Sequence, residues 1–576
     1  MQKFCFFNER NFYLKMTDTK SIAIELAKKQ KEISVTEFFE KNRHLLGFDN
    51  KKKALLMAVK EAVDNSLDAA EEARILPTII VELIDMGNDK LRVIVEDNGP
   101  GIIKKQIPNI FAKLLYGSKF HVLRQARGQQ GIGISAAALY GQLTTGRPIR
   151  ITSKIGIGEP ANYYELNIDT QNNKPEIIKE DTIEWSNEHG TRVELDIEAI
   201  YQKGTQSVDE YLKQTSIVNP HVTIIYTNPK AEQVIFARAT EELPREAKAI
   251  KPHPYGIELG ILLKMLKWTE AKTLRNFLME EFSRVGNETA KEICENSALL
   301  PNSMPQDITR DAAERLVEGI KKTKIRSPPT DCISPIGDTL LEKGLKKEVN
   351  AEFYCAVSRS PEVYRGNPFI IEAALAYGGS LSGDTRAMIL RYANRVPLLY
   401  QEGACAITES LIETNWKPYG MQQSGNSVPV GPLVILVHMS SVWVPFTSES
   451  KEAIAHYPEI MKEIKLALQE CGRKLSVYVH KKKNLQYETA KRNYIETYIP
   501  YVATALKEII GISDKEKQEV EILLKEILEK KRGKLEEIET KNLEFDEEFA
   551  LIGREELNED DDEETEEMKD KKAKRS

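Results

Sequence analysis

The sequence predicts a multidomain α+β protein, and three observations lead to this prediction. The chain has 576 residues, which is room for roughly three or four domains. Hydrophobic residues make up 41% and charged residues 29%, a composition typical of soluble globular proteins. Two regions of mixed helix and strand pattern, at about 35–248 and 331–480, flank a helical region at 249–330.

The first mixed region opens with residues 35–76, which are predicted to be helical up to the neighbourhood of Pro77. Strand-like runs with turn residues between them follow, at 78–86, 90–97, 149–153, 162–168 and 191–197. A polar, proline-containing stretch near residue 248 predicts the end of this α/β sandwich.

The middle region, 249–330, is rich in Leu, Lys and Arg and is interrupted by Gly and Pro, which predicts several short helices. The second mixed region, 331–480, contains strand-like runs near 353–357, 387–392 and 432–438. A helix is expected to open after the Ser/Thr cluster at 447–450, and the segment SVYVH at 476–480 has the character of a strand. This order predicts a right-handed βαβ crossover. A long helix is predicted over 481–540, either as a coiled-coil arm or as a packed helix.

The two ends of the chain differ from the body. Residues 1–34 are interpreted as an N-terminal extension or strap, and 541–576 as an acidic, disordered tail. The net charge is −7, but 536–570 hold 18 acidic and 3 basic residues and the last six residues carry +4, so residues 1–535 carry +4. A mildly basic body permits a polyanionic partner.

The six cysteines have no paired spacing, which argues against a zinc site or a disulfide framework and indicates a reducing compartment. The longest strongly apolar run, at 431–439, is too short to span a bilayer. We therefore expect a cytoplasmic protein without a membrane partner.

The polar side of one predicted helix is the first candidate site. Glu61, Asn65 and Asp68 fall within roughly 60° of each other on a helical projection, opposite a Leu/Val face. The ordinary interpretation is an amphipathic helix with a solvated polar face. The motifs downstream favour a ligand instead.

Three glycine-containing signals follow that helix. The first is Asp97-Asn98-Gly99-Pro100-Gly101 at a strand end, where a carboxylate can accept a hydrogen bond from an exocyclic amine. The second, RGQQGIGIS at 127–135, leads into a small-residue helix and would present backbone N–H groups to phosphate. The third is His189-Gly190-Thr191 at a strand start. No strand directly precedes the second loop, which argues against a Rossmann fold, and the chain has no GxxxxGK[ST] motif.

In this order the motifs resemble the Bergerat ATP-binding fold shared by gyrase-type topoisomerases, Hsp90-type chaperones, histidine kinases and MutL-type proteins. The resemblance implies ATP and Mg²⁺ as cofactors, with Glu61 as the general base for water, Asn65 as the Mg²⁺ ligand and Asp97 as the reader of adenine. The other residues implied to hold nucleotide are Gly99, Gly101, Ser118, Lys119, Arg127, Gly128, Gln129, Gln130, Gly131, Ile132, Gly133, Ile134 and Thr191.

A longer resemblance, over most of 30–510, rests on residues 61–73, YGSKFH, RGQQGIGISAA and VPFTSESKEA at 444–453. These stretches are similar to the ATPase subunits, called B, of archaeal type IIB topoisomerases. That family implies a helix-two-turns-helix insert at 249–330, a transducer domain at 331–480, and Lys451 as a lysine that reaches the γ-phosphate. It also implies dimerisation on ATP binding, double-stranded DNA as a partner, and an A2B2 heterotetramer in which the helical arm contacts the A-type cleavage subunit.

Trp416, Lys417 and Tyr419 place aromatic rings around a lysine, a grouping suited to DNA contact. The alternative is an aromatic corner that packs the transducer. Two other function classes also remain open. One is a non-cutting ATP-driven clamp or chaperone. The other is a histidine kinase, for which His44 is the nearby candidate phosphoacceptor.

Overall fold

The computed structural model describes residues 24, 26–30, 33–119, 122–128, 131–448 and 450–532. The predictions for most of 1–34, for 541–576, and for Gln129 and Gln130 lie outside the described residues. Within the described segments, no helix is both long enough and apolar enough to cross a membrane.

The N-terminal α/β region is a sheet of eight strands covered by helices. Its helices are α1 Val35–Lys41, α2 Lys51–Glu72, α3 Ile107–Ala112, α4 Gly133–Thr145 and α5 Val208–Val218. Its strands are β1 Thr78–Asp85, β2 Lys90–Asp97, β3 Ile149–Lys154, β4 Ala161–Asp169, β5 Lys174–Ile183, β6 Gly190–Glu198, β7 Thr223–Thr227 and β8 Gln233–Phe236. The strand order is β5-β4-β3-β6-β2-β1-β7-β8, and only the β1–β7 pair is parallel.

The apolar side of α2 packs on this sheet, as the sequence predicts, because its Leu and Val side chains are buried in one core with those of β1, β2 and β6. The region predicted to be helical, 35–76, is divided between α1, a 3-10 turn and α2. The chain turns at Gly47, whose φ of 79° is left-handed, and α2 then begins after Asn50, whose side chain accepts from the Lys53 N–H.

The helical middle region contains α6 Leu259–Trp268, α7 Leu274–Glu281, α8 Asn287–Asn296 and α9 Arg310–Lys322. These helices enclose a core of their own, which includes Phe277, Phe282 and Leu316. The Gly and Pro interruptions fall between helices, as expected.

The second α/β region has six strands, covered by α10 Asp338–Glu348, by α11 Ala406–Glu413 and by the N-terminal part of α12 Pro458–Ile510. Its strands are β9 Phe353–Ser358, β10 Glu362–Tyr364, β11 Asn367–Tyr377, β12 Met388–Ala393, β13 Val396–Pro397 and β14 Leu433–Ser441. The parallel pair β12 and β14 is joined by a segment that contains α11, which makes a βαβ unit. This unit is not the predicted crossover, which required a strand at 476–480.

The strand predicted at 476–480 is wrong, because these residues lie inside α12 Pro458–Ile510. The apolar residues Leu475, Tyr478 and Val479 are buried with helical rather than alternating spacing. A boundary at residue 480 therefore falls within a continuous helix. The final described helix, α13 Asp514–Arg532, packs against α12 after a turn at Gly511.

Candidate nucleotide-binding site

A cavity of about 650 Å³, hereafter the nucleotide cavity, opens between α2, α4 and the ends of β2 and β6. Lys451, from the second α/β region, also lines it. The structure brings most of the predicted site residues to this cavity: Glu61, Asn65, Asp97, Gly101, Ser118, Lys119, Gly128, Gly131, Ile132, Gly133, Ile134, Thr191 and Lys451. His44 does not line it and is exposed on a separate 3-10 turn.

The Glu61 carboxylate lies against the first residue of α4. A Cβ atom at Gly133 would sit 1.7 Å from Glu61 Oε2, so any larger residue at this position would displace the carboxylate. Buried Lys60 lies 3.5 Å from the other carboxylate oxygen of Glu61 and also pairs with Asp64. Contacts from α2 and α4 thus fix the position of a carboxylate that remains 16% exposed toward the cavity.

The N-terminus of α4 has no side-chain cap. Its first N–H groups therefore point into the cavity without a side-chain acceptor, a geometry that favours an anion. Gly131, just before α4, has a φ of 58° that a side chain would disfavour. On the facing helix, Asn65 is exposed and lines the cavity.

Asp97 is held at the far end of the cavity by three donors. Its Oδ2 accepts from Ser66 Oγ at 2.7 Å, and its Oδ1 accepts from the N–H groups of Gly99 and Thr191 at 2.9 and 3.2 Å. Burial raises the pKa of Asp97, and these hydrogen bonds oppose that shift. Gly99 does not line the cavity; its contribution is to orient Asp97.

The side chain of Arg127 does not lie where the sequence predicted it, next to the nucleotide. Its guanidinium does not line this cavity but lies behind it, bonded to Asp68 at 2.8 Å, to Glu71 at 2.6 Å and to Asn219 at 2.6 Å. Asp68, expected on the nucleotide side of α2, also accepts from Lys119 at 2.6 Å. These partners hold the guanidinium behind the nucleotide cavity, so it does not reach a triphosphate bound inside that cavity.

Lys451 lies in a loop, not in the first turn of a helix as expected. The loop runs to α12, which begins seven residues later with Pro458 in its first turn. Lys451 has a φ of 54° and its Nζ donates to the Arg127 carbonyl at 3.0 Å. Burial lowers the pKa of Lys451, while the nearby Glu61 carboxylate raises it. The next residue, Glu452, pairs with Lys53 of α2 at 2.5 Å.

Several cavity residues were missed by the sequence analysis. They are polar or aromatic side chains at the rim and floor: Ser66, Gln106, Tyr116, Ser135 and Ser450. Ser66 neighbours Asn65 on α2, and Tyr116 and Ser135 lie inside the YGSKFH and RGQQGIGIS motifs, so these three carried a local signal. The others lie in loops or at a helix start whose positions depend on tertiary packing.

Trp416 is buried and does not offer a surface for stacking. Its ring lies in the core of the second α/β region, where Nε1 donates to the Leu411 carbonyl at 3.0 Å. Tyr419 is half-buried and packs edge-on against Trp416. Lys417 alone of the three is exposed. The aromatic-corner alternative therefore describes Trp416 correctly, and the prediction that Trp416 contacts DNA is wrong.

Comparison with known proteins identifies both α/β regions. Residues 50–198 match the model for the "Histidine kinase-, DNA gyrase B-, and HSP90-like ATPase" family, and residues 328–491 match "Topoisomerase VI B subunit, transducer". The chain is 54% identical over 490 residues to the B subunit of type 2 DNA topoisomerase 6 from Methanococcoides burtonii, covering 85% of this chain and 79% of the relative. It belongs to the B-subunit family of type 2 DNA topoisomerase 6.

Further members of this family agree. The relative from Methanosarcina barkeri is 52% identical over 85% of this chain and 79% of its own length. That from Archaeoglobus fulgidus is 47% identical over 87% of this chain and 82% of its own length. The chain thus combines an ATPase domain, which binds ATP, with a transducer domain, which supplies Lys451 to the nucleotide cavity. A topoisomerase subunit of type B also implies a partner of type A.

Proposed function

We propose that this chain hydrolyses ATP to gate the passage of one DNA duplex through a break made by the cleavage subunit. One observation carries the proposal: Glu61 of the ATPase region and Lys451 of the transducer region line the same cavity. Nucleotide bound there would contact both regions at once, so its chemical state can determine their relative positions.

Glu61 is the proposed general base. It would accept a proton from the water that attacks the γ-phosphate, and its fixed position against Gly133 supports this role. The uncapped N-terminus of α4 and the backbone of 128–134 would hold the phosphates, together with Ser118 and Lys119. Asp97, with Thr191 beside it, would accept a hydrogen bond from the exocyclic amine of adenine.

Asn65 is the proposed ligand of Mg²⁺. The fit is chemical: Asn65 presents a neutral oxygen to the phosphate end of the cavity, and Mg²⁺ prefers oxygen ligands. A bound Mg²⁺ would neutralise charge on the phosphates. A neutral ligand adds no repulsion toward those phosphates, whereas a carboxylate at the same position would.

Lys451 is the proposed reporter of the triphosphate. Its ammonium is held on a backbone carbonyl beside the cavity, a weaker partner than a phosphate oxygen. Transfer of this ammonium to the γ-phosphate would pull the loop after β14, and with it the transducer sheet, toward the ATPase region. Hydrolysis would remove the phosphate and release the loop.

The remaining partners are proposed from the family. Two copies would dimerise on ATP binding and join two cleavage subunits in an A2B2 assembly around double-stranded DNA. The end of α12 and α13 expose many apolar side chains, which supports this arm as the contact for the cleavage subunit. They are Tyr487, Tyr494, Tyr498, Tyr501, Ile509, Ile510, Ile522 and Leu523.

The test is relaxation of supercoiled DNA by this chain mixed with ATP and a cleavage subunit. We expect relaxation by wild type and its loss in Glu61→Ala, with nucleotide binding retained. Relaxation undiminished in Glu61→Ala would place the catalytic base elsewhere. A complex that binds ATP but never relaxes DNA would instead favour the non-cutting clamp.

A further inference from the structure

A second cavity, the junction cavity, lies behind the nucleotide cavity where the ATPase region meets the transducer. It has a volume of about 240 Å³ and is lined by residues of α2, of the segment before the glycine-rich loop, and of the β12–β13 turn. Glu72 lines both this cavity and the nucleotide cavity. Arg127, whose carbonyl accepts from Lys451, also lines it.

The lining carries more positive than negative charge. The cations are the five arginines Arg74, Arg124, Arg127, Arg245 and Arg395, and the anions are the four carboxylates Asp68, Glu71, Glu72 and Glu246. Three of these carboxylates already have cationic partners: Asp68 and Glu71 pair with Arg127, and Glu72 pairs with Arg124.

Arg395 is a buried cation of this cavity on which the Glu71 and Glu372 carboxylates act only from beyond ion-pair distance. It is 5% exposed, and no carboxylate of the described residues lies within ion-pair distance of it. Its hydrogen bonds go from Nη2 to Ser334 and Pro335, which are neutral acceptors. The buried Nε atoms of Arg395 and of Arg127 both lack a hydrogen-bond partner within the described chain. A buried guanidinium without an anionic partner is energetically unfavourable.

We propose that the junction cavity binds a phosphate-sized oxyanion between Arg395 and Arg127. The planar guanidinium matches the oxygen geometry of phosphate, and Arg395 and Arg127 line the cavity from opposite sides of the junction. Because Arg127 belongs to the ATPase region and Arg395 to the transducer, a bound oxyanion stabilises their docked arrangement.

The same oxyanion, phosphate, can reach the junction cavity from two sources. One is phosphate in bulk solution, and the other is phosphate released by hydrolysis in the adjoining nucleotide cavity. The second source rests on the proposed function, whereas the binding site itself does not. A product held at this junction would keep the two regions docked until it leaves.

The first test measures the thermal unfolding midpoint of the full chain against inorganic phosphate. Ionic strength is held constant with chloride, and a non-hydrolysable ATP analogue saturates the nucleotide cavity. For wild type we expect the unfolding midpoint to rise with phosphate concentration until it saturates. For Arg395→Gln we expect the affinity for phosphate to be at least about tenfold weaker. The matched control is Arg310→Gln, an exposed arginine on α9 paired with Glu314, which should behave as wild type. The proposal would be overturned if phosphate raised the unfolding midpoint of Arg395→Gln as much as that of wild type. It would also be overturned if chloride alone raised the wild-type midpoint as much as phosphate does.

A second test does not depend on the folding of a variant. Hydrogen–deuterium exchange of the wild-type chain, with the same analogue bound, should reveal phosphate-dependent protection at 124–127 and 393–396. Protection confined to the residues of the nucleotide cavity, or none, would refute the junction site. Arg395→Lys, which keeps the charge but loses the planar fork, should bind phosphate with intermediate affinity.

A third measurement distinguishes the two sources. Hydrolysis is followed by rapid quench and phosphate release by a fluorescent phosphate sensor. If the product passes through the junction cavity, Arg395→Gln will change the lag between the two events. If the site fills only from solution, the lag is unchanged although the equilibrium stabilisation is lost. Absence of both effects would contradict the proposal, whatever the ATPase rate.

Discussion

The ammonium of Lys451 lies 3.0 Å from the carbonyl oxygen of Arg127, in the loop that leads into the glycine-rich segment. These residues belong to different α/β regions and are 324 positions apart in the chain. The loop that carries Lys451 is anchored a second time through Glu452 and Lys53. The ATPase region and the transducer therefore touch at the point where the phosphates of a nucleotide would lie.

Replacement of Lys451 by Met should slow hydrolysis while nucleotide still binds. Methionine keeps most of the length of the side chain but removes the charge that would contact the γ-phosphate. We expect kcat to fall by about 100- to 1000-fold, the range seen when one electrostatic contact to a transition state is lost. The measurement is steady-state ATPase activity together with nucleotide affinity by calorimetry.

The matched control for this prediction is Lys462→Met, since Lys462 is exposed on α12 away from the cavity. It should retain the wild-type rate. An equal loss in both variants would attribute the effect to α12 or to stability and would contradict a direct role for Lys451.

Gly133→Ala should abolish hydrolysis without destabilising α4. The new Cβ would sit 1.7 Å from Glu61 Oε2, so the carboxylate must move. Alanine favours a helix over glycine by up to about 1 kcal/mol, so a loss of activity would not arise from helix propensity. We expect kcat to fall by about 100-fold or more, the effect of removing a general base. The check is kcat with the thermal unfolding midpoint of the same preparation.

Gly156→Ala serves as its control, because a Cβ at Gly156 meets no atom within 4 Å. This variant should be close to wild type in both readouts. Full activity in Gly133→Ala would mean that Glu61 tolerates displacement and is not the base.

Asp97→Asn should weaken nucleotide binding and change the dependence of stability on pH. An amide would place a donor where the adenine amine also donates, so we expect an affinity loss of about tenfold or more. Because burial raises the pKa of Asp97 in the folded state, the folded protein holds this proton more tightly than the unfolded chain. The favourable contribution of the protonated carboxyl is thus lost as pH rises through the folded pKa.

As pH rises from about 4 to 7, the unfolding free energy of wild type should therefore fall relative to that of Asp97→Asn, which has no carboxyl at this position. Urea unfolding at several pH values measures this difference. A constant difference across that range would contradict the raised pKa, while unchanged nucleotide affinity would contradict the role of Asp97 in adenine recognition.

The positions of site residues could be predicted from the sequence where the spacing of nearby residues determines which way a side chain points. Glu61 and Asn65 share one face of α2 by helical periodicity, and Asp97 ends a strand that the β-branched run at 90–97 predicts. The N-terminus of α4 follows from the glycine and small-residue pattern. In these cases each side chain reaches the cavity because of residues close to it in the chain.

Prediction failed where distant residues decide the position. The guanidinium of Arg127 lies outside the nucleotide cavity because it donates to Glu71 and to Asn219, which lies 92 residues further along the chain. The β-branched, aromatic segment at 476–480 has strand propensity, but burial of Leu475 and Val479 against the transducer core stabilises a helix. Local propensity is a weak preference that tertiary packing overrides.

The last prediction separates packing from DNA contact in the Trp416–Tyr419 corner. Trp416→Ala removes a ring that is fully buried in the transducer core, so the free energy of unfolding should fall by about 3–5 kcal/mol. Lys417→Ala removes an exposed ammonium and should leave stability within about 0.5 kcal/mol. If Lys417 contacts a DNA phosphate, its loss should weaken DNA binding about equally for all sequences and reduce the slope of log affinity against log salt by about one. Urea unfolding and salt-dependent fluorescence anisotropy with duplex DNA measure the two effects. A salt slope unchanged in Lys417→Ala would mean that this corner only packs the transducer.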